Sequence, residues 1–316
     1  MKDAFGREIT YLRLSVTELC NLRCRYCMPE EGVRKLRHDQ LLTEEEMIMA
    51  VRAAARLGVN KVRITGGEPL TKPNILSICR KTALAPGIKD VSLTTNGILL
   101  PELAAALRDA GVGRVNISLD TLNEEKYAAM TRRGQLSQAL AGLEAALRAG
   151  FQKVKVNTVL IGGFNEEEIP ALAELTRTEP IDLRFIELMP MPGSAGFGPA
   201  SYAPVSRVLE ALPEAIPEGE EGVARLYRLP GAMGRIGLIS PLSQHFCSTC
   251  NRIRLTSDGK LKPCLHSEEE ISIKGLTEEE MMEKMRLAIL GKPLCHGELS
   301  AEKRSRAARN MNQIGG

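Results

Sequence analysis

The sequence predicts an α/β protein: a partial (β/α)6 barrel followed by a smaller C-terminal domain. Two observations predict it. Short β-branched runs alternate with helical patterns over the first two-thirds of the 316 residues, which is typical of parallel strands joined by right-handed crossovers. Six such units occur before the alternation stops. This favours an open barrel over a complete eight-fold one, with a doubly wound open sheet as the alternative.

The predicted strands are short and rich in Val, Ile, Leu and Thr. They cover residues 10–16, 61–66, 90–95, 114–120, 153–160 and 181–188.

The predicted helices have recognisable ends. The first begins with Thr43 and Glu46, which form a capping box, and ends at Gly58. Another is opened by Asn165. The predicted helices cover residues 43–58, 101–111, 137–150, 165–178 and 277–290.

A change of composition marks the predicted domain boundary. From Met189 the chain is rich in Pro and Gly, in the run "MPMPGSAGFGPASYAP". We therefore predict a partial barrel over residues 1–190 and a C-terminal domain over residues 191–316.

Composition excludes several classes of protein. A net charge of +3 argues against a general nucleic-acid-binding protein. No run of about 18 apolar residues predicts a membrane span, and "MKDAFGREITYL" does not resemble a signal peptide. We expect a cytoplasmic protein. In that reducing compartment, the eight cysteines indicate metal ligation rather than disulfide bonds.

Five motifs with unusual residues lie at the ends of the predicted strands. They are "CNLRCRYC" at 20–27, "GGEP" at 66–69, "TTNG" at 94–97, "SLD" at 118–120 and "ELMP" at 187–190. Parallel α/β barrels place their chemistry at the C-terminal ends of the strands. The motifs are therefore expected to share one face.

The first three cysteines indicate an iron–sulfur site. Cys20, Cys24 and Cys27 have the spacing C-x3-C-x2-C, with no fourth cysteine beside them. A structural zinc site needs four ligands, whereas a 4Fe–4S cluster held by three thiolates leaves one iron open to another ligand. A zinc site completed by a distant Cys or His is the alternative.

A second group of three, Cys247, Cys250 and Cys264, has the spacing C-x2-C-x13-C. His266 could complete a zinc site here, and spacing alone leaves that alternative equally open. Cys79 is expected to be a packing residue, and Cys295 and His296 receive no role.

Several basic residues lie within or beside predicted strands, where an unpaired charge is costly to bury. Together they indicate an anionic ligand in the barrel. No Walker-type loop occurs, so a P-loop nucleotide site is excluded. The basic residues are Arg13, Arg63, Lys155, Arg184, Arg252 and Arg254.

The first cysteine motif, with Tyr26 before its last cysteine and "GGEP" downstream, resembles the radical S-adenosylmethionine (SAM) superfamily. Nearly the whole chain resembles one family in it, the GTP 3′,8-cyclases. The segments that carry this resemblance are "YLRLSVTELCNLRCRYCMPEEG", "VRITGGEPL", "LTTNG", "VNISLDTL", "VKVNTVL", "RFIELMP", "CSTCNRIRLTSDGKLKPCL" and the final "GG".

The resemblance implies two 4Fe–4S clusters, one on each group of three cysteines. The open iron of the first would bind SAM, and that of the second the guanine of GTP. The SAM site would comprise Tyr26, Gly67, Ser118 and Met189. The GTP site would comprise Arg13, Arg63, Thr94, Lys155, Arg252, Ile253 and Arg254, and Arg184 joins it as a further basic strand residue. Arg13 and the final Gly315 and Gly316 would act in catalysis.

The activity implied is the first step of molybdenum cofactor biosynthesis. A 5′-deoxyadenosyl radical would remove hydrogen from C3′ of GTP, and the carbon radical would add to C8, giving 3′,8-cyclo-7,8-dihydro-GTP. The expected partners are a reductant or small electron-donor protein and the next enzyme of the molybdopterin pathway. The chain would be a monomer or homodimer and would bind neither nucleic acid nor membrane.

Two other functions are alternatives to the cyclase. One is a radical SAM peptide-modifying enzyme with an auxiliary cluster, and the other is a zinc-stabilised binding protein without catalytic activity. The "NRIRL" segment at 251–255 and the final "GG" favour the cyclase.

Overall fold

The computed structural model describes residues 1–194, 196–300 and 302–315, which form an α/β structure. The strands are β1 Tyr11–Ser15, β2 Lys61–Thr65, β3 Asp90–Thr95, β4 Arg114–Ser118, β5 Lys153–Leu160, β6 Ile181–Glu187, β7 Ile216–Glu221, β8 Ala224–Arg228, β9 Arg235–Ile239, β10 Arg252–Leu255, β11 Lys260–Lys262 and β12 Ile271–Ser272. The helices are α1 Glu44–Arg56, α2 Ile75–Ala83, α3 Leu100–Asp109, α4 Glu124–Thr131, α5 Leu136–Ala149, α6 Ile169–Thr178, α7 Ser206–Ala211, α8 Glu278–Leu290 and α9 Met311–Ile314.

The described strands form one sheet, in the order β12-β11-β10-β1-β2-β3-β4-β5-β6-β9-β8-β7. Strands β1 to β6 are neighbours in chain order and pair in parallel. This winding lacks the reversal of strand order that defines a doubly wound sheet. The sheet does not close on itself, so the prediction of a partial barrel is confirmed.

The predicted elements agree closely with the structure. All six predicted strands are present, and the capping box of α1 is formed by Thr43 and Glu46. Helix α5 ends at Gly150, whose φ of 73° places it in the left-handed region that glycine favours. Helices α2, α4, α7 and α9 were not predicted; α7 and α9 are short, and α4 has only a weak apolar stripe.

The helix predicted over 165–178 does not begin at Asn165. A 3-10 turn over 166–168 comes first, and α6 begins at Ile169. The buried Asn165 amide instead donates to the carbonyls of Asp120 (2.7 Å) and Val159 (2.8 Å). Asn165 therefore joins the ends of two strands rather than capping the helix.

The two faces of the curved sheet have opposite character. In β1, Leu12 and Leu14 are fully buried in the aliphatic core, while Arg13, between them, faces the inner cavity. β2 repeats the pattern, with Val62 and Ile64 in the core and Arg63 towards the cavity. The helices thus cover the apolar face, and the polar inner face surrounds a cavity instead of a packed barrel interior.

The C-terminal part of the chain extends both edges of the sheet. β9 pairs in parallel with β6, and β10 pairs in parallel with β1. Their apolar residues, such as Ile236 and Leu255, join the same core as the first six strands. The division at residue 190 stays a prediction. Within the described residues, no helix combines the length and apolar character that crossing a membrane requires.

Glu187, at the end of β6, holds the C-terminal part in place. Its buried carboxylate accepts hydrogen bonds from the backbone N–H groups of Leu242 (2.9 Å) and Ser243 (3.0 Å) and from the Ser243 hydroxyl. A hydrogen bond to a charged group contributes about 1.5–3 kcal/mol, and these donors are partly buried. Glu187 thus fixes the segment that leads to Cys247.

We predict that Glu187→Ala lowers the free energy of unfolding by about 2 kcal/mol, because the partly buried N–H groups of Leu242 and Ser243 lose a charged acceptor. Urea denaturation measures it. Glu174→Ala, which breaks an exposed pair with Arg177 (2.9 Å), is the matched control and should cost about 0–1 kcal/mol. Equal midpoints for the two variants would contradict the role given to Glu187.

Candidate active site

One cavity of about 320 Å³ lies on the concave side of the sheet. The sequence motifs at the strand ends meet there, as predicted. Of the predicted site residues, those that line it are Arg13, Cys20, Cys24, Tyr26, Cys27, Arg63, Gly67, Thr94, Ser118, Arg184, Met189, Cys247, Cys250, Arg252, Arg254 and Cys264.

The loop after β1 turns its three thiols towards this cavity. The Cys24 carbonyl accepts hydrogen bonds from the N–H groups of Cys27 (2.9 Å) and Met28 (3.2 Å), which makes a tight turn. Burial raises the pKa of Cys20 to about 11 and that of Cys27 to about 12. Such thiols become thiolates when a metal binds them. Three partly buried thiols on one loop therefore fit an iron–sulfur cluster.

Tyr26 connects the cysteine loop to the end of β4. Its hydroxyl donates to the Asp120 carboxylate (2.8 Å), which also accepts from the Val159 N–H (2.8 Å). Burial raises the pKa of Asp120 to about 6. The aspartate of the "SLD" motif is thus a positioning residue for the loop, which the sequence did not indicate.

The glycines of "GGEP" let β2 approach the backbone ahead of the first cysteine. A Cβ on Gly66 would lie 2.3 Å from the Thr17 carbonyl oxygen, and one on Gly67 would lie 2.3 Å from that of Leu19. The Gly67 N–H donates to the Thr17 carbonyl (2.7 Å). Because neither glycine has a side chain, the end of the strand and the cysteine loop can lie against each other. The same thin backbone could also contact a ligand.

Glu68 of the same motif ties β2 to β3. Its buried carboxylate accepts hydrogen bonds from the N–H groups of Leu70 (3.0 Å) and Asn96 (2.7 Å) and from the Thr95 hydroxyl (2.8 Å). This link was not predicted, because Thr95 and Asn96 are distant from Glu68 in the chain.

The second group of cysteines lies across the same cavity. Cys247 and Cys250 share a 3-10 turn just before β10, and Cys264 follows β11. Lys292 braces this region, because its ammonium donates to the carbonyls of Arg252 (2.9 Å) and Pro263 (2.7 Å). No three Cys, His, Asp or Glu side chains in the described residues converge on one metal-ion position. The thiols of a cluster need not converge, since each binds a different iron.

Histidines surround this second group of cysteines. His266 contacts the Ser305 hydroxyl through Nδ1 (3.0 Å), and its ring packs edge-on against His296 at 5.0 Å. His245 packs against His296 from another side at 5.6 Å. Burial lowers the pKa of His266 to about 3, so this ring is neutral near pH 7.

Arginines on the adjacent strands β10, β1 and β2, together with Arg184 on β6, form the cationic wall of the cavity. Arg13 is the register partner of both Arg63 and Arg254. In the described residues, the buried Nε atoms of Arg63, Arg184 and Arg252 have no hydrogen-bond partner. Buried guanidinium nitrogens without acceptors indicate that the cavity binds an anion.

Tyr11 stands between two of these arginines and was not predicted as a site residue. The Arg63 and Arg252 guanidinium groups lie 5.6 and 5.9 Å from its ring centre. Burial alone would raise its pKa, but the charges of Arg63 and Arg13 lower it to about 8. Tyrosine is common in strands, so its sequence position carried no signal.

Two predicted GTP-binding residues do not line the cavity. The Lys155 side chain, 2% exposed, forms ion pairs with Glu221 and with Asp182 (3.6 Å). Ile253 lies between Arg252 and Arg254 in β10, and strand alternation turns its side chain into the core. A contact of Ile253 with a cavity ligand would therefore come from its backbone.

The C-terminal segment enters the cavity region. Gly315 is buried, its carbonyl accepts a hydrogen bond from Arg254 Nη1 (2.5 Å), and a Cβ there would lie 2.5 Å from Thr65 Cγ2. Arg309 anchors the segment through ion pairs with Asp258 (2.8 Å) and Glu270 (2.7 Å). Gly316, predicted to be catalytic, lies outside the described residues.

Comparison with known sequences identifies two regions. A family described as "Radical SAM superfamily" matches residues 14–176, and one described as "Molybdenum Cofactor Synthesis C" matches residues 181–296.

Full-length relatives are named GTP 3′,8-cyclase. The protein of Alkaliphilus oremlandii is 48% identical over 321 residues and that of Moorella thermoacetica 46% over 330 residues, each with 100% of both chains covered. Among solved structures, Streptococcus suis SuiB bound to S-adenosylmethionine has a TM-score of 0.66 at 15% identity, covering 97% of this chain and 77% of SuiB. The chain belongs to the radical SAM superfamily and, within it, to the family of the GTP 3′,8-cyclases.

Proposed function

We propose that this chain is a GTP 3′,8-cyclase that converts GTP to 3′,8-cyclo-7,8-dihydro-GTP, the first step of molybdenum cofactor biosynthesis. The observation that carries the proposal is one cavity lined by both groups of three cysteines and by a wall of buried arginines. Full-length relatives at 48% identity support the same activity.

The cofactors are two 4Fe–4S clusters and SAM, which together supply the radical that removes hydrogen from C3′ of GTP. Cys20, Cys24 and Cys27 hold the first cluster. Cys247, Cys250 and Cys264 hold the second. The chain's own task is to keep both groups of thiols on one cavity, which it does by building them on loops beside the adjacent strands β1 and β10.

The residues proposed for SAM lie around the first cysteine loop. Tyr26 is fixed by Asp120, and Ser118 lines the cavity at the end of β4. Gly67 keeps the wall thin. Met189 packs beside Met191 and Ile314 and offers a polarisable apolar surface.

The triphosphate of GTP provides the negative charge that the arginine wall lacks. Arg13, Arg63, Arg184, Arg252 and Arg254 can each donate two hydrogen bonds to phosphate oxygens. Thr94 adds a buried hydroxyl, which has no partner in the described residues.

Lys155 lies next to Arg184 of this wall, because both side chains donate to the same oxygen of Glu221. Ile253 can contribute its backbone. The Gly315–Gly316 segment would act with Arg13 and Arg254 to order the reacting end of the site.

The reaction also needs an electron for the first cluster, so we propose a small electron-donor protein or reductant as a partner. The product would pass to the next enzyme of the molybdopterin pathway. We place this chemistry in the cytoplasm, as a monomer or homodimer. The likeness to SuiB supports a shared fold but not a peptide-modifying function, because the two chains are only 15% identical.

The two groups of cysteines should have separable roles. Cys24→Ala should abolish SAM cleavage, because the first cluster loses a ligand. Cys250→Ala should remove the second cluster yet leave some SAM cleavage without GTP. Iron content, electron paramagnetic resonance and 5′-deoxyadenosine yield measure this. Equal loss of SAM cleavage in both folded variants would show that the assignment is wrong.

Arg254→Ala should weaken GTP binding at least about tenfold, because the phosphate loses a buried guanidinium partner. Thermal stability should change little, because Arg254 itself is costly to bury as a charge. Burial, followed by repulsion from Arg252, lowers the pKa of Arg254 to about 10. Calorimetric titration of the cluster-loaded protein tests this. Arg225→Ala, on β8 outside the cavity, is the control. An unchanged GTP affinity in Arg254→Ala would remove this residue from the site.

Deleting Gly315 and Gly316 should leave both clusters and GTP binding largely intact and sharply reduce formation of the cyclised product. The reason is that Arg254 loses the Gly315 carbonyl that orients it. Product analysis after anaerobic turnover measures the effect. Lys303→Ala, which breaks the exposed ion pair with Glu298, is the control. Full activity without the two glycines would contradict the role.

A further inference from the structure

One carboxylate reaches the cationic wall from outside the first six strands. Glu221 is the last residue of β7, at the tip of the β7–β8 hairpin, and Gly222 and Val223 make the turn. The rest of β7 is exposed, while Glu221 is only half-buried against the barrel. Val223 lines the same cavity as the arginines. The hairpin tip is therefore part of the wall of the active site.

A glycine in β9 lets the hairpin tip lie this close. A Cβ on Gly237 would contact Arg184 Cγ (3.1 Å) on one side and Ala224 Cβ (3.4 Å) on the other. Gly237 is the register partner of both Arg184 and Leu226. Without a side chain at 237, the tip can approach Arg184 across the sheet.

The Glu221 carboxylate contacts four cations. Oε1 accepts hydrogen bonds from Lys155 and from Arg184 Nη2 (3.2 Å). Oε2 accepts from Lys153 (2.8 Å) and Arg235 Nη2 (2.9 Å). Lysine and arginine side chains are also the groups with which proteins bind phosphate.

The charges around Glu221 do not balance. Asp182 is the other carboxylate of this group, and it pairs with Arg235 through both oxygens at 2.9 Å. Lys153, Lys155, Arg184 and Arg235 thus face two carboxylates among the described residues. Burial, followed by the charge of Arg184, lowers the pKa of Lys155 to about 8. The group retains capacity for a further anion.

Arg184 belongs to both groups of charges. It lines the cavity, and its Nη2 is held by Glu221. Its buried Nε has no partner within the part of the chain that the structure describes. A phosphate that approaches Arg184 from the cavity therefore meets a guanidinium already shared with a carboxylate.

We propose that Glu221 sets the affinity for the nucleotide by competing with its triphosphate for Lys155 and Arg184. The proposal rests on the proposed function, because it takes GTP as the ligand of the arginine wall. When phosphate oxygens bind Arg184, Glu221 at the hairpin tip loses its ion pair with Arg184 or Lys155. Glu221 thereby keeps binding reversible in a cavity with excess positive charge, and it keeps Lys155 and Arg184 paired when no nucleotide is bound.

The test is Glu221→Gln in the cluster-loaded protein under anaerobic conditions. Glutamine keeps the size of the side chain and removes its charge. We expect GTP to bind about tenfold more tightly, because the competing charge is gone, and guanosine to bind as it does to the unmodified protein. We also expect a lower melting temperature without GTP and a larger upward shift on adding GTP than the unmodified protein shows.

Glu218→Gln is the matched control. Glu218 lies on the same strand and pairs with Arg228 away from the cavity, so its loss should leave GTP binding unchanged. Glu221→Asp retains the charge but withdraws it by one methylene group, and it should tighten GTP binding about two- to threefold. This variant supplies the test if Glu221→Gln does not fold.

GTP binding to Glu221→Gln that is equal to or weaker than that of the unmodified protein would overturn the proposal, and Glu221 would then be a structural counter-ion. Tightening of guanosine and GTP to the same extent would also overturn it, because the phosphates would not be involved. Failure of the unmodified protein to bind GTP would overturn the proposed function itself, and with it this inference. The unmodified protein therefore separates the two failures.

Discussion

The burial of positive charge on the concave face of the sheet is the constraint on which the rest of the structure depends. Arg13, Arg63 and Arg254 occupy one register row across three strands, in positions that apolar side chains fill in a closed barrel. Charges of like sign repel strongly where the local dielectric constant is low, so packing these side chains against one another would be costly. The sheet therefore stays open around a cavity, and its stability comes from the aliphatic layer beneath the helices.

The carboxylates of the cavity are arranged so that this positive charge is not cancelled. Glu68 and Glu187 both line the cavity, yet each is engaged by backbone N–H groups at the strand ends. They fix the loops at the strand ends, and their hydrogen bonds go to backbone N–H and hydroxyl groups rather than to the arginines. Glu221 differs, because it contacts lysine and arginine side chains and is delivered by a hairpin tip.

Much of this fold could be predicted from the sequence, because the signals were local. The six strands, the capping box of Thr43 and the spacing of the cysteines each depend on residues close together in the chain. The missed features depend on contacts across long distances. Asn165 joins Asp120 and Val159, and Lys155 meets Glu221, 66 residues away. Nor could composition reveal that β9 and β10 extend opposite edges of the sheet, since strand pairing over such separations leaves no periodic signal.

An open barrel of six strands has two free edges, and the C-terminal part of the chain uses both. At one edge β10 adds Arg252 and Arg254 next to β1, directly after Cys247 and Cys250. At the other edge β9 adds Gly237, over which the hairpin brings Glu221 to Arg184. The first six strands thus supply one cysteine loop and three of the five arginines of the cationic wall. The added strands supply the second group of cysteines, the other two arginines and the opposing carboxylate. Because these groups meet only when both edges are extended, an anionic substrate can be recognised only by the assembled chain. A closed barrel would have left no edge on which to place them.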